Sequence, residues 1–131
     1  MAPRVLLLDD EPDLLHALSV RLTAAGLTCE TAHTGTEAMA KIQSARPDLI
    51  ITDLIMPEVD GFAMVRWLQR APHTATIPVI VLTAMPKHAI DPTPQELQAT
   101  HILHKPFDFQ ELLSLTRALL ATRIPGGPSH G

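Results

Sequence analysis

Val5-Leu6-Leu7-Leu8 runs directly into Asp9-Asp10-Glu11, and this stretch decides the fold. Four apolar residues without alternation suit a strand covered on both faces, as in a parallel sheet. The acids behind them end the strand. The same figure recurs along the chain: Leu49-Ile50-Ile51-Thr52 ends at Asp53, and Val79-Ile80-Val81-Leu82 ends at Thr83. A shorter run, Ile102-Leu103-His104, ends at Lys105-Pro106, and residues 27–32 alternate weakly as a further strand. Helical patterns fill the intervals. Leu14, Leu15, Leu18 and Leu22 recur at helical spacing until Gly26, a residue suited to the position just past a helix end. Thr34-Gly35-Thr36-Glu37 reads as a capping box before Ala38, Met39 and Ile42. Asp60-Gly61 opens a helix carrying Met64, Val65 and Leu68, and Asp108-Phe109-Gln110-Glu111 opens the last one, with Leu112, Leu113, Leu115, Leu119 and Leu120. Strands alternating with helices predict βαβ units, a parallel sheet and right-handed crossovers.

Composition narrows the rest. A chain of 131 residues is the size of one domain with a single core, and 46% hydrophobic with 18% charged residues excludes a disordered or fibrous chain. One cysteine excludes an internal disulfide and a CxxC site. No apolar run reaches the roughly 18–20 residues that span a bilayer, and the N-terminus does not read as a signal peptide. The expected compartment is the cytoplasm. Fourteen acidic against ten basic residues, a net charge of −4, argue against a general nucleic-acid binder. No helix-turn-helix pattern follows residue 122, so DNA binding is not expected in this chain. The expected organisation is one domain over residues 1–122 and a flexible tail or start of a linker over 123–131, where Pro125-Gly126-Gly127-Pro128 lies.

The strand ends carry the chemistry. Asp9, Asp10, Asp53, Thr83 and Lys105 follow four different strands, and ligands of open parallel sheets bind beyond the carboxyl ends of the strands. Three carboxylates drawn together repel, and a hard divalent ion with oxygen ligands relieves that repulsion; Mg2+ also favours phosphate oxygens. One carboxylate can then attack a phosphoryl group, with Lys105 and Thr83 as donors to the transferred oxygens. The residues fit phosphoryl transfer.

Together, Asp9-Asp10-Glu11, Asp53-Leu54-Ile55-Met56-Pro57, Asp60-Gly61, Leu82-Thr83-Ala84 and Lys105-Pro106-Phe107 resemble a response-regulator receiver domain over residues 4–122. The resemblance implies a flavodoxin-like doubly wound (βα)5 fold with strand order 2-1-3-4-5. It makes Asp53 the acceptor of a phosphoryl group from a histidine-kinase phosphohistidine. Asp10 would bind Mg2+ directly (Mn2+ could substitute), Asp9 would orient the metal through water, and Asp53 and the Ile55 backbone carbonyl would complete the protein's ligands. Thr83 and the Ala84 N–H would contact the phosphoryl group, Lys105 would pair with one of its oxygens, and the Lys105–Pro106 bond would be cis. The module would catalyse transfer only onto itself. Its expected partners are a sensor histidine kinase or phosphotransfer protein and an unnamed output partner or domain. The resemblance leaves room for a weak homodimer, and neither nucleic acid through this chain nor a membrane is expected. The alternatives are a phosphorylation-independent interaction domain and a small metal-dependent phosphatase; Ile55, where the latter needs a second carboxylate, argues against it.

The sequence also departs from the family pattern. Ile102 stands where an aromatic switch residue is usual, and the chain has no tyrosine. Pro86, Pro92 and Pro94 predict a shortened fourth helix starting near Pro94 after a loop over residues 85–92, since an interior proline costs a helix roughly 3 kcal/mol. Ile55 and Met85, beside the acceptor and the threonine, offer no group to orient a hydrolytic water, so slow autodephosphorylation is expected. Cys29 reads as a small core hydrophobe, Trp67 as half-exposed packing, and His101 with His104 as no metal site.

Overall fold

The computed structural model describes residues 2–56, 58–86 and 100–122. In chain order the elements are β1 (Arg4–Leu8), α1 (Pro12–Ala24), β2 (Thr28–Ala32), α2 (Gly35–Ser44), β3 (Leu49–Asp53), α3 (Gly61–Gln69), α4 (Pro72–Ala75), β4 (Val79–Thr83), β5 (Thr100–His104) and α5 (Phe109–Ala121). The strands form one sheet in the order β2-β1-β3-β4-β5, and every pairing is parallel. This is the flavodoxin-like doubly wound arrangement, with β1 and β3 flanking the point where the strand order reverses.

Strand alternation divides the core in two. Val5 and Leu7 of β1, Leu49 and Ile51 of β3, and Ile80 and Leu82 of β4 pack with Leu15, Leu18 and Leu22 of α1 and with Leu112, Leu113 and Leu120 of α5. Leu6, Leu8, Ile50, Val79 and Val81 point the other way, onto Ala38 and Ile42 of α2 and Met64, Val65 and Leu68 of α3. Both faces of β1, β3 and β4 are thus covered, which is why those strands read as unbroken apolar runs. Burial of each such side chain contributes about 2 kcal/mol.

The starts of α2, α3 and α5 are fixed by side chains. Thr34 Oγ1 accepts from the Glu37 N–H at 3.1 Å, and Glu37 Oε1 accepts from the His33 N–H at 2.8 Å, one residue earlier than a standard capping box. Asp60 caps α3 by accepting from the Ala63 N–H, and Asp108 caps α5 by accepting from the Gln110 N–H. Gly26, at φ +97°, ends α1 in the left-handed region that glycine enters freely.

The short α4 was not legible in the sequence, because four residues carry no periodic pattern. Pro72 occupies its first turn, and Arg46 braces it by donating to the His73 carbonyl at 2.8 Å and to Thr76 Oγ1 at 3.0 Å. β5 begins at Thr100, earlier than its apolar run, because Thr100 and His101 pair with Val79 and Ile80. Cys29 is half-buried against the α1/α5 side of the core, while Trp67 and Ile102 are half-buried against the other. Of the proline-broken segment only Met85 and Pro86 are described; the helix expected near Pro94 and the tail over 123–131 lie outside the described residues. Among the described residues no helix is long and apolar enough to cross a membrane.

Candidate functional site

The carboxyl ends of β1, β3, β4 and β5 converge. Asp53 is the last residue of β3 and Thr83 the last of β4, while Asp9 and Lys105 directly follow β1 and β5. Lys105 Nζ lies 3.3 Å from Asp53 Oδ1, and the Leu54 N–H donates to the same oxygen at 3.1 Å. Asp53 Oδ2 is therefore the oxygen engaged by neither. Asp9, Asp10 and Asp53 each offer a carboxylate oxygen to a cluster whose members lie within 4.8 Å of one another. A cleft of about 360 Å³ opens at this edge, lined by Glu11, Asp53, Ile55, Thr83, Ala84, Met85 and Lys105. The structure thus brings together the strand-end residues singled out in the sequence, with Ile55 and Ala84 on the cleft wall.

Asp9 is the most constrained member. It is 2% exposed; Oδ1 accepts from the Glu11 N–H at 2.9 Å, but Oδ2 is buried without a hydrogen-bond partner. A buried, unpaired carboxylate oxygen is costly. Burial accordingly raises the Asp9 carboxyl to about 6, with Asp53 adding to the rise and the Glu11 N–H opposing it. Either a proton or a cation relieves this group. An all-oxygen donor set with one orphaned buried oxygen fits a hard ion such as Mg2+.

Backbone geometry supports the site in ways the motifs did not reveal. The Gly61 N–H donates to the Leu54 carbonyl at 2.8 Å, and a Cβ on Gly61 would stand 3.0 Å from the Asp53 carbonyl oxygen and 3.1 Å from Leu54 Cα. The glycine at the head of α3 is thus what lets the β3–α3 loop fold close behind the acceptor. Glu58 holds φ +72° in that loop, with Oε1 accepting from Thr36 Oγ1 at 2.8 Å. Thr83 Oγ1 accepts from the Met85 N–H at 3.0 Å, and the Thr83 carbonyl accepts from the Lys105 N–H at 2.7 Å. The Lys105–Pro106 peptide is cis, as the resemblance implies.

Residues 5–117 match the response regulator receiver domain family. The chain belongs to that family. This receiver is 38% identical over 130 residues to the "DNA-binding dual master transcriptional regulator RpaA" of Synechocystis, covering 98% of the chain and 54% of that protein. It is 37% identical over 120 residues to the response regulator MprA of Mycobacterium ulcerans, covering 92% of the chain and 51% of the relative. Among solved structures, the chemotaxis response regulator CheY4 of Vibrio cholerae superposes with a TM-score of 0.80 at 34% identity, over 91% of this receiver and 99% of that chain. The response regulator TrrA of Thermotoga maritima, solved with Mg2+ and BeF, superposes with a TM-score of 0.77 at 30% identity, over 89% and 98%.

This receiver spans about half the length of the curated relatives it matches. That corrects the expectation of no nucleic acid through this chain. The expectation rested on a net charge of −4 and on the lack of a helix-turn-helix after residue 122. Neither bears on the half of such regulators that lies outside the matched stretch, and one of these relatives is itself described as DNA-binding.

Proposed function

We propose that this chain is the phosphoacceptor receiver of a two-component or phosphorelay system. It takes a phosphoryl group from a histidine-kinase phosphohistidine onto Asp53, with Mg2+, and switches partner binding as a result. The observation that carries the reading is the setting of Asp53, a strand-end carboxylate with an ammonium at 3.3 Å from one oxygen and two further carboxylates close by. A lone structural ion pair would not need the other two acids.

Asp10, Asp53 and the Ile55 carbonyl would hold the ion, with Asp9 orienting it through water. When bound, Mg2+ neutralises carboxylate repulsion and the charge on phosphoryl oxygens. The chain's own groups do the remainder. Lys105 and the Leu54 N–H fix Asp53 through Oδ1, leaving Oδ2 to attack phosphorus opposite the departing imidazole. The P–N bond breaks as the P–O bond forms, and the released imidazole nitrogen ends up protonated. Lys105 then pairs with a phosphoryl oxygen, while the Thr83 hydroxyl and the Ala84 N–H donate to others. Turnover is limited to this self-modification, and a cytoplasmic location is part of the same proposal.

Incubation with phosphoramidate and Mg2+, followed by intact mass, tests the reading. One added phosphoryl group in the wild type, missing in Asp53→Ala, supports it. No adduct favours a phosphorylation-independent interaction domain, and repeated turnover of phosphomonoesters favours a phosphatase.

A further inference from the structure

Beside the acceptor, the ends of β4 and β5 are joined by a closed ring of hydrogen bonds. Thr83 and His104 are paired in register at the end of the two strands. The Lys105 N–H donates to the Thr83 carbonyl at 2.7 Å, and the Met85 N–H donates to Thr83 Oγ1 at 3.0 Å. The third link is a side chain: His104 Nδ1 lies 3.1 Å from the Met85 carbonyl oxygen. A carbonyl oxygen can only accept, so this link requires the tautomer with the proton on Nδ1. Met85 is thus held from both sides, by the Thr83 hydroxyl oxygen through its N–H and by the His104 imidazole through its carbonyl. Ile102, two residues earlier on the same strand, has no polar atom with which to make such a link.

We propose that His104 is a positioning residue that latches Met85 to β5 and so opposes displacement of Thr83 toward a phosphoryl group on Asp53. This rests on the phosphoacceptor reading. Thr83 and Met85 move together because Thr83 Oγ1 holds the Met85 N–H. Any displacement of Thr83 toward a phosphoryl group on Asp53 therefore pulls the Met85 carbonyl against the imidazole. The latch sets the resting position, and phosphorylation works against it.

Two measurements test the latch. In the unphosphorylated wild type, long-range ¹H–¹⁵N spectra should show Nδ1 of His104 protonated near neutral pH. An Nε2–H tautomer with bare Nδ1 overturns the proposal, because Nδ1 and the carbonyl would then both be acceptors. Loss of one hydrogen bond from the resting state should tighten beryllofluoride binding with Mg2+ by roughly three- to tenfold in His104→Ala. His104→Asn, whose amide nitrogen takes the place of Nδ1, should return to the wild-type affinity, which general loosening of the strand end would not produce. Equal affinity in wild type and His104→Ala overturns the latch while leaving the acceptor role intact. A wild type that binds no beryllofluoride overturns the acceptor reading and the latch together.

Discussion

Lys105 Nζ and Asp53 Oδ1 lie 3.3 Å apart although 52 positions separate the two residues. Parallel pairing of β3 with β4 and of β4 with β5 delivers both to one edge, and the contact is shielded enough from solvent for charge to matter. Lys105→Met keeps the length of the side chain and removes its ammonium. Phosphorylation by phosphoramidate should then slow by about 10²-fold, the usual effect of removing one preorganised charge-stabilising donor. Quench-flow intact mass would read it, and an unchanged rate would place Lys105 outside the chemistry.

Asp9 links the site to pH. Its carboxyl is raised from 3.8 to about 6 in the folded chain, so the native state binds a proton more tightly than the unfolded one. Without metal, stability should therefore fall as pH rises from about 4 to about 6, by an amount of order 3 kcal/mol, and level off above that. Urea unfolding in chelator across this range checks the sign. Asp9→Asn should flatten the profile and stabilise the metal-free chain at pH 8.

The same group governs the metal. Below about pH 6, Mg2+ must displace the Asp9 proton, so affinity should drop by up to tenfold per pH unit there and be nearly flat above pH 7. Isothermal titration at several pH values, in buffers of different ionisation enthalpy, would show about three-quarters of a proton released at pH 5.5, falling toward zero above pH 7. Affinity independent of pH between 5 and 7 would separate Asp9 from the ion.

Ile55 is 66% exposed on the cleft wall, and Met85 lines the same cleft. Neither can hydrogen-bond an attacking water. Ile55→Asn should accelerate loss of the phosphoryl group by roughly fivefold, the worth of one hydrogen bond to that water. Phosphate release after removal of the donor gives the rate, and an unchanged lifetime would mean that water is oriented from elsewhere.

Gly61 sits where a side chain would press on the backbone of the acceptor strand, its added Cβ 3.0 Å from the Asp53 carbonyl oxygen. Gly61→Ala should cost about 1–3 kcal/mol of stability despite alanine's better helix propensity. It should also slow phosphorylation by shifting Asp53. Thermal unfolding and the phosphoramidate rate together distinguish this from a helix effect, which would be stabilising.

The apolar runs at residues 5–8, 49–51 and 79–82 were legible because both faces of those strands are covered, and the polar residue at or just after each strand's end is the one presented at the sheet edge. Thus the positions of Asp9, Asp53 and Thr83 followed from hydrophobicity alone. What stayed hidden depends on distances between segments. No local pattern shows that the Leu54 N–H shares Asp53 Oδ1 with Lys105, that the Glu11 N–H leaves one Asp9 oxygen orphaned, or that His104 reaches the Met85 carbonyl. The four-residue α4 escaped for a related reason, since Arg46 holds it from 27 positions away.

The central claim is that Asp53 takes the phosphoryl group, and an acyl phosphate can be trapped where it forms. The chain would be treated with phosphoramidate and Mg2+, reduced with borohydride, digested and sequenced by tandem mass spectrometry. Reduction of the acyl phosphate to the alcohol at position 53, and nowhere else, is the predicted result. Reduction at Asp9 or Asp10, or none at any position despite a phosphorylated control receiver, would contradict it.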